Sequence, residues 1–493
     1  MTKTPLWTSK ELSAATGGKC AFTFTVGGVS IDTRTLNPGD LFVALEGPNF
    51  DGHDFVKDAF HGGAAAALIH HDVEGVSDEH SCLRVEDTQK ALENIARAAR
   101  ARTHARIAAV TGSVGKTGTK EALRHVLSAD AAVHASEGSL NNHWGLPLSL
   151  ARMPENAAFG VFEMGMNHAG EISPLSQMTC PHVALITTVE GVHKGHFATL
   201  EDIADAKAEI FDSMDRDGAA VLNRDNRFFD RLSARAAEKG IETVIGFGVH
   251  EKSEVRLLDL ALDADGTTVT VDMMGQVFPY RVGVPGRHWA VNSLGVLATV
   301  HALGANVEAA ADALAGLSAA KGRGRRCMVG LDGGEFTLID ESYNASPVSM
   351  KAAIDLLALT AAQGGGRSVA VLGDMLELGE GAAADHAALK DILDEREIDL
   401  VFTAGPLMEN LSDAISSSRA VHAKNSEELA AKVAEVLRPG DVVMVKGSAG
   451  SRMGLIVDAL MALETRRRPR TGNETNRGHA GDKTSRGHAV NSN

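Results

Sequence analysis

Residues 111–117 read Thr-Gly-Ser-Val-Gly-Lys-Thr, a set of residue types suited to holding a polyphosphate. Gly112, Ser113, Val114, Gly115 and Gly118 bring backbone N–H groups close to anionic oxygens. Lys116 adds a mobile positive charge, and the Thr117 hydroxyl can ligate Mg²⁺. Against the general phosphate-loop pattern GxxxxGK[ST], Val110 stands at the first glycine while the final Gly-Lys-Thr is kept. The segment is read as a nucleoside triphosphate site. Downstream, Glu163 ends an apolar run and offers a hard carboxylate oxygen for the same cation. His193 and His196 follow in TTVEGVHKGH at 187–196, with no third strong ligand nearby in the sequence. This pattern is therefore read as one histidine on a catalytic Mg²⁺ and the other in a structural role, not as a zinc site. Lys207 lies in a helical run and by residue type reads as a surface ion-pair lysine.

Three later segments could surround the rest of a nucleotide: Gly286 to Asn292 with His288, the Gly322-Arg323-Gly324 turn, and DESYNASP at 340–347 with Glu341, Tyr343 and Asn344. An imidazole and an amide can stack on and hydrogen-bond a purine. A guanidinium can bridge phosphates, and a carboxylate can take ribose hydroxyls.

These residues need elements to position them. An apolar run at 107–110, a glycine-rich turn and an amphipathic run at 117–128 read as strand, loop and helix. Strands at 158–162, 183–187 and 219–222 with helices between them build a mostly parallel sheet. Period-two alternation over 255–284 predicts an antiparallel appendage, and a helix over 290–303 closes that unit. Residues 1–100 form a smaller α/β unit with apolar runs at 40–45 and 64–69 and a helix at 88–102. A basic, glycine-broken stretch at 321–326 reads as a hinge. Beyond it, strands at 336–340, 368–373, 400–405 and 442–445 alternate with helices near 346–360, 382–395, 426–438 and 451–464. The expected domains are 1–100, 101–325 and 326–465. The segment 466–493 carries seven basic and two acidic residues and no apolar period, and reads as a disordered tail.

Composition excludes several functions. In 493 residues, 44% hydrophobic and 23% charged content is a globular balance. The net charge of −16 disfavours nucleic acid and anionic lipid as partners. Cys20, Cys82, Cys180 and Cys327 are scattered without CxxC spacing, so neither disulfides nor zinc are expected and the compartment is read as reducing. No run approaches the roughly 20 apolar residues of a membrane span, and the first residues lack the apolar region of a signal peptide. The chain is expected to be cytoplasmic and not membrane-embedded.

In this order the segments resemble the ATP-dependent Mur ligases over about residues 25–460. DESYNASP and GDMLELG at 373–379 resemble signatures of the members that add D-alanyl-D-alanine, and the DNPR motif of the diaminopimelate-adding members is absent. Ser30, Asp32 and Arg34, with 47–53, resemble the uridine-nucleotide segment. Asn141 and Asn142 stand in a loop resembling NNxxGxP beside the sugar-peptide. Lys446 and Ser448 stand in a segment resembling KGSRxxxM, with Ala449 in place of the Arg. Ser346 replaces the second Asn of SYNANP.

The resemblance implies an α/β, three-domain Mur ligase architecture: an N-terminal α/β domain for the UDP-linked substrate, a central P-loop parallel-sheet ATPase domain and a C-terminal Rossmann-like domain. It implies that ATP phosphorylates the terminal carboxylate of UDP-N-acetylmuramoyl-tripeptide, and that the amine of D-alanyl-D-alanine then displaces phosphate. Lys116, His193 and Lys207 would be catalytic, with Thr117 and Glu163 holding one Mg²⁺, His193 helping to hold a second, and Lys207 carbamylated so that it too can bind Mg²⁺. His288, Asn292, Tyr343 and Asn344 would line the adenine site, Arg323 would reach the phosphates and Glu341 the ribose. A monomer whose third domain swings onto the second is expected. The competing readings are a folylpolyglutamate synthase-like ligase and a nucleotide-dependent switch ATPase.

Overall fold

The computed structural model describes residues 5–76, 80–191, 197–263 and 265–467. Among these the strands form three main sheets and one small two-stranded antiparallel sheet. Strand Arg106–Thr111 is the axis of the largest. Its residues Ile107 to Val110 are wholly buried, because helices cover both faces and a parallel strand so placed must be apolar throughout. Phe162, Phe211 and Phe247 are likewise buried in the layers above and below, each contributing about 1.5–3 kcal/mol relative to exposure.

This nine-stranded sheet runs, edge to edge, Gln276–Val282, Gly266–Met273, Val255–Asp263, Thr243–Gly248, Ala219–Asn223, Val183–Ile186, Arg106–Thr111, Phe159–Glu163 and Val133–Ala135. The antiparallel segment at 255–284 is not a separate appendage. Val255 and Arg256 pair in parallel with Phe247 and Gly248, so the meander extends the main sheet. Strand Arg106–Thr111 has Val183–Ile186 on one side and Phe159–Glu163 on the other, so the chain diverges at its carboxyl end. Such a divergence opens a crevice at the sheet edge where ligands of α/β proteins bind.

The N-terminal sheet is parallel, in the order Gly28–Ser30, Asp40–Val43, Ala66–Ile69 and Cys82–Arg84. It packs through helix Thr88–Arg102 on helix Gly145–Ala151, and the Trp7 indole donates to Ala151 O at 2.8 Å. The third sheet runs Arg325–Leu331, Gly334–Glu341, Val442–Lys446, Ser368–Gly373, Leu400–Ala404 and Ala420–Ala423. All its pairs are parallel except the first.

The hinge reading is narrowed by that first strand. Arg325 and Arg326 lie in a strand paired with Asp340 and Ile339, so the glycine-broken turn is confined to 321–324. Alternation is hard to see in RRCMVGL because the strand lies at a sheet edge and much of it stays partly exposed. The helix read at 382–395 is two, Ala382–Ala387 and Leu389–Glu395. The last helix, Gly454–Arg467, runs two residues past the boundary at 465, and the rest of the segment read as a tail lies outside the described residues.

Candidate active site

The loop between strand Arg106–Thr111 and helix Lys116–Leu127 has a shape that only its glycines permit. Gly112 has φ +145°, and a methyl group there would stand 2.0 Å from Thr187 Oγ1. Gly115, at φ +90°, begins the helix. The next strand's exit holds the loop from outside. The Thr187 hydroxyl donates to Val114 O at 2.6 Å, Ser113 N to Thr188 O at 2.8 Å, and Glu190 N to Ser113 Oγ at 2.9 Å. The loop is thus fixed before any anion arrives, with the helix N-terminus behind it. The Lys116 ammonium, half-buried, donates to Gly112 O at 2.8 Å. Burial pushes its pKa down, the Glu163 carboxylate pushes it back up, and the Arg323 charge adds to the depression.

Glu163 is 1% exposed at the end of strand Phe159–Glu163. One oxygen accepts from Thr117 Oγ1 at 2.7 Å and the other from Asn141 Nδ2 at 2.7 Å. This chain of hard oxygen donors abuts the phosphate loop and fits a small divalent cation such as Mg²⁺. Asn141, read as a substrate contact, is therefore also the clamp on Glu163. Asn142 Oδ1 accepts from Gly145 N at 2.9 Å and shapes the entry to helix Gly145–Ala151.

Sequence reasoning missed Lys120. It is fully buried, and its amine donates to Ser136 O at 2.5 Å and Gly138 O at 3.1 Å and pairs with Glu121 at 2.6 Å. It pins the stretch leading to Asn141. The available signal was its place one turn beyond Lys116 on the apolar side of an amphipathic helix. Replacing Lys120 with Met should leave two carbonyls unpaired and destabilise the central domain by about 3 kcal/mol. Urea denaturation checks this, and an unchanged midpoint would refute the pinning role.

Lys207 is 2% exposed on helix Leu200–Ala208, so the surface ion-pair expectation is corrected. No hydrogen bond or ion pair is found for its amine among the described residues. Burial and the nearby Lys116 charge push its pKa well down, which favours the neutral amine. His193 and His196 lie outside the described residues.

Helix Arg287–Ala302 brings its first turns against the loop. A methyl group on Gly115 would lie 3.1 Å from Asn292 Nδ2, and one on Gly118 would lie 3.0 Å from the Trp289 ring. His288 is exposed at the start of this helix, within electrostatic reach of Glu341 and Lys446. Arg323 stacks over Tyr343, 4.4 Å from the ring centroid, and donates to Ser139 Oγ at 3.3 Å. Asp340 shapes this turn by accepting from Gly322 N at 2.8 Å and Ser342 Oγ at 2.6 Å. Asn344 is exposed, and its side-chain oxygen accepts from Ala345 N at 2.9 Å.

The remaining expected contacts are spread more widely. Lys446 is buried and donates to Glu341 at 3.1 Å and Asn344 O at 2.9 Å, so Glu341 is shared with an internal lysine. Ser448 accepts from Leu376 N at 2.9 Å and its own N–H donates to Asp374 O, which ties the KGS and GDMLELG segments together. Arg452 is paired with Glu427 at 2.8 Å. In the N-terminal sheet, Ser30 Oγ donates to Asp32 O. Asp32 takes three bonds from the exposed Arg34 guanidinium, which holds its carboxyl below the usual range.

Three family descriptions match the chain: "Mur ligase family, catalytic domain" over residues 25–100, "Mur ligase middle domain" over 110–300 and "Mur ligase, glutamate ligase domain" over 324–449. The UDP-N-acetylmuramoyl-tripeptide–D-alanyl-D-alanine ligase of Rickettsia prowazekii is 32% identical over 454 residues, which covers 92% of this chain and 99% of the relative. The crystal structure of MurF from Acinetobacter baumannii superposes with a TM-score of 0.79 at 27% identity, covering 93% of this chain and 99% of that one. The MurF ligase of Thermotoga maritima in complex with ADP superposes with a TM-score of 0.72 at 26% identity, covering 89% and 98%.

Proposed function

The chain belongs to the Mur ligase family, whose members are ATP-dependent, and from that premise we propose that it joins D-alanyl-D-alanine to UDP-N-acetylmuramoyl-tripeptide. The observation that carries the phosphoryl-transfer half of this reading is the Thr117–Glu163–Asn141 chain of hydrogen bonds beside a preshaped phosphate loop. The acceptor half is supported by whole-length likeness to ligases of that name. It also sets aside the folate-ligase and switch readings.

In this proposal a tripeptide carboxylate oxygen attacks the terminal phosphorus of ATP. The P–O bond to ADP breaks, leaving an acyl phosphate and ADP. The amine of D-alanyl-D-alanine then attacks the acyl carbon, inorganic phosphate leaves and the amine proton is lost. Both steps move negative charge between oxygens, so the chain's part is to place cations and N–H donors where charge develops. Lys116 and the amides of 112–117 face the transferring phosphate, and Arg323 approaches from the far side of the cleft. Thr117 and Glu163 would hold one Mg²⁺, His193 would help hold a second, a carbamylated Lys207 would supply a further carboxylate ligand, and such cations would neutralise the charge on phosphate oxygens. His288, Asn292, Glu341, Tyr343 and Asn344 are assigned to the nucleoside. Ser30, Asp32, Arg34, Asn141, Asn142, Lys446 and Ser448 are assigned to the two acceptors.

The domain limits are taken as 1–100, 101–325 and 326–465. Closure of the third domain on the second would exclude water from the acyl phosphate. The chain is proposed to act as a monomer in the cytoplasm, where ATP and UDP-linked precursors are found. Among the described residues no helix is long and apolar enough to cross a membrane.

The test is to supply ATP, Mg²⁺, the UDP-linked tripeptide and D-alanyl-D-alanine. The pentapeptide should appear by mass, with phosphate release dependent on both acceptors. Phosphate released at the same rate without D-alanyl-D-alanine would support a switch ATPase instead.

A further inference from the structure

We propose that the N-terminal domain carries a divalent transition-metal site built from the imidazoles of His53, His70 and His71. The proposal is independent of the ligase reading. His70 and His71 follow directly on strand Ala66–Ile69 at the carboxyl edge of the parallel sheet. His53 lies in the turn Gly52–Phe55, whose start is capped by Asp51. One ring nitrogen from each histidine lies within 4.8 Å of the other two. The ring centroids are 3.9 Å apart for His53 and His71, 4.3 Å for His53 and His70, and 5.0 Å for His70 and His71.

The chemistry of the surroundings fits ligation. In every ring Nδ1 faces an oxygen: Asp51 Oδ1 at 2.6 Å from His53, Thr88 Oγ1 at 3.4 Å from His70 and Asp72 O at 3.0 Å from His71. A metal-bound imidazole needs such a partner on its second nitrogen, which leaves Nε2 as the ligating atom of each ring. Glu46 stands 3.8 Å from His70 Nε2 and can take the fourth position. Three imidazoles and a carboxylate select Zn²⁺, Co²⁺ or Ni²⁺ over Mg²⁺. Binding requires the rings to draw together to the roughly 3.3 Å that separates tetrahedral ligands held at about 2.0–2.1 Å from the metal. His53 Nε2 must also release the 3.1 Å bond it accepts from His70 N, and His71 Nε2 its 3.3 Å contact with Asp51 Oδ2. His71 is exposed, so the cation has a path in and one ring is free to move. Once bound, it would fix the 46–53 loop on the same sheet edge as Ser30.

The experiment uses the full chain, stripped with a chelator and titrated with Co²⁺, whose visible d–d bands report tetrahedral coordination. One equivalent should give such bands. His71→Ala and the double variant His70→Ala/His71→Ala should weaken binding by about 100-fold or more, and Asp51→Asn by about 10–100-fold. The His193→Ala/His196→Ala variant should keep the bands. His71 is exposed, so its single replacement keeps the test sound if the double variant misfolds. Absence of bands at millimolar Co²⁺, or bands in His71→Ala that form with the wild-type affinity, would overturn the proposal. So would bands lost only when His193 and His196 are replaced.

Discussion

Replacing Lys116 with Ala is expected to lower kcat by about 10³-fold, or roughly 4 kcal/mol of transition-state stabilisation. The size of the effect follows from where the ammonium sits. It lies half-buried at the start of a helix, within electrostatic reach of the Glu163 carboxylate and the Arg323 guanidinium, on a loop fixed by Thr187, Thr188 and Glu190. Positive charge held there without reorganisation acts most strongly on charge that develops during transfer. The loss should therefore fall on kcat, while KM for D-alanyl-D-alanine stays within a few-fold. Among the described residues Lys116 makes a single hydrogen bond, to Gly112 O, so its removal should leave the fold intact. Steady-state kinetics with both acceptors, alongside circular dichroism, decide the matter. A variant retaining more than a tenth of the rate would remove Lys116 from the phosphate site.

Lys207→Ala should also lose activity, by at least about 10²-fold, and recover part of it when acetate is added. The buried amine has its pKa lowered first by desolvation and then by Lys116, so the folded chain favours the neutral form. A neutral amine is the form that attacks CO₂: a C–N bond forms, a proton leaves to solvent, and the product bears one negative charge. Carbamylation would turn a neutral amine, whose protonated form would repel both Lys116 and a cation, into an anion that attracts them. An inert buried lysine would instead lose stability on replacement and gain nothing from acetate. Incubation with ¹³C-labelled bicarbonate gives a second readout, a carbamate carbon resonance present in the wild type and missing from Lys207→Ala. No rescue and no resonance would leave Lys207 as packing alone.

Local motifs were legible in the sequence wherever a few adjacent residues set both conformation and chemistry. The phosphate loop is one: Gly112 and Gly115 are needed for positive φ, and the helix must begin at Lys116 for its amides to point at the ligand. The apolar run of Arg106–Thr111, the three α/β units and helix Thr88–Arg102 could be read in the same way, because period and capping are properties of neighbours along the chain. Short edge strands such as Val133–Ala135 and Arg325–Leu331 were not, since an edge strand buries too little to show a pattern.

Partnership was decided by the tertiary structure. Glu163 could be picked out as a carboxylate after a strand, but its bonds to Thr117 and Asn141 exist because strand order places Phe159–Glu163 beside Arg106–Thr111. Lys207 read as an ordinary surface lysine on a helix and Lys120 was not singled out at all, and only packing shows that both are buried. In the N-terminal domain His53 is separated along the chain from the adjacent His70 and His71, and it meets them because Ala66–Ile69 ends beside the Gly52–Phe55 turn. Residue type sets what a side chain is able to do. Its burial and neighbours are set by contacts between distant segments, and these determine its charge state and its partners.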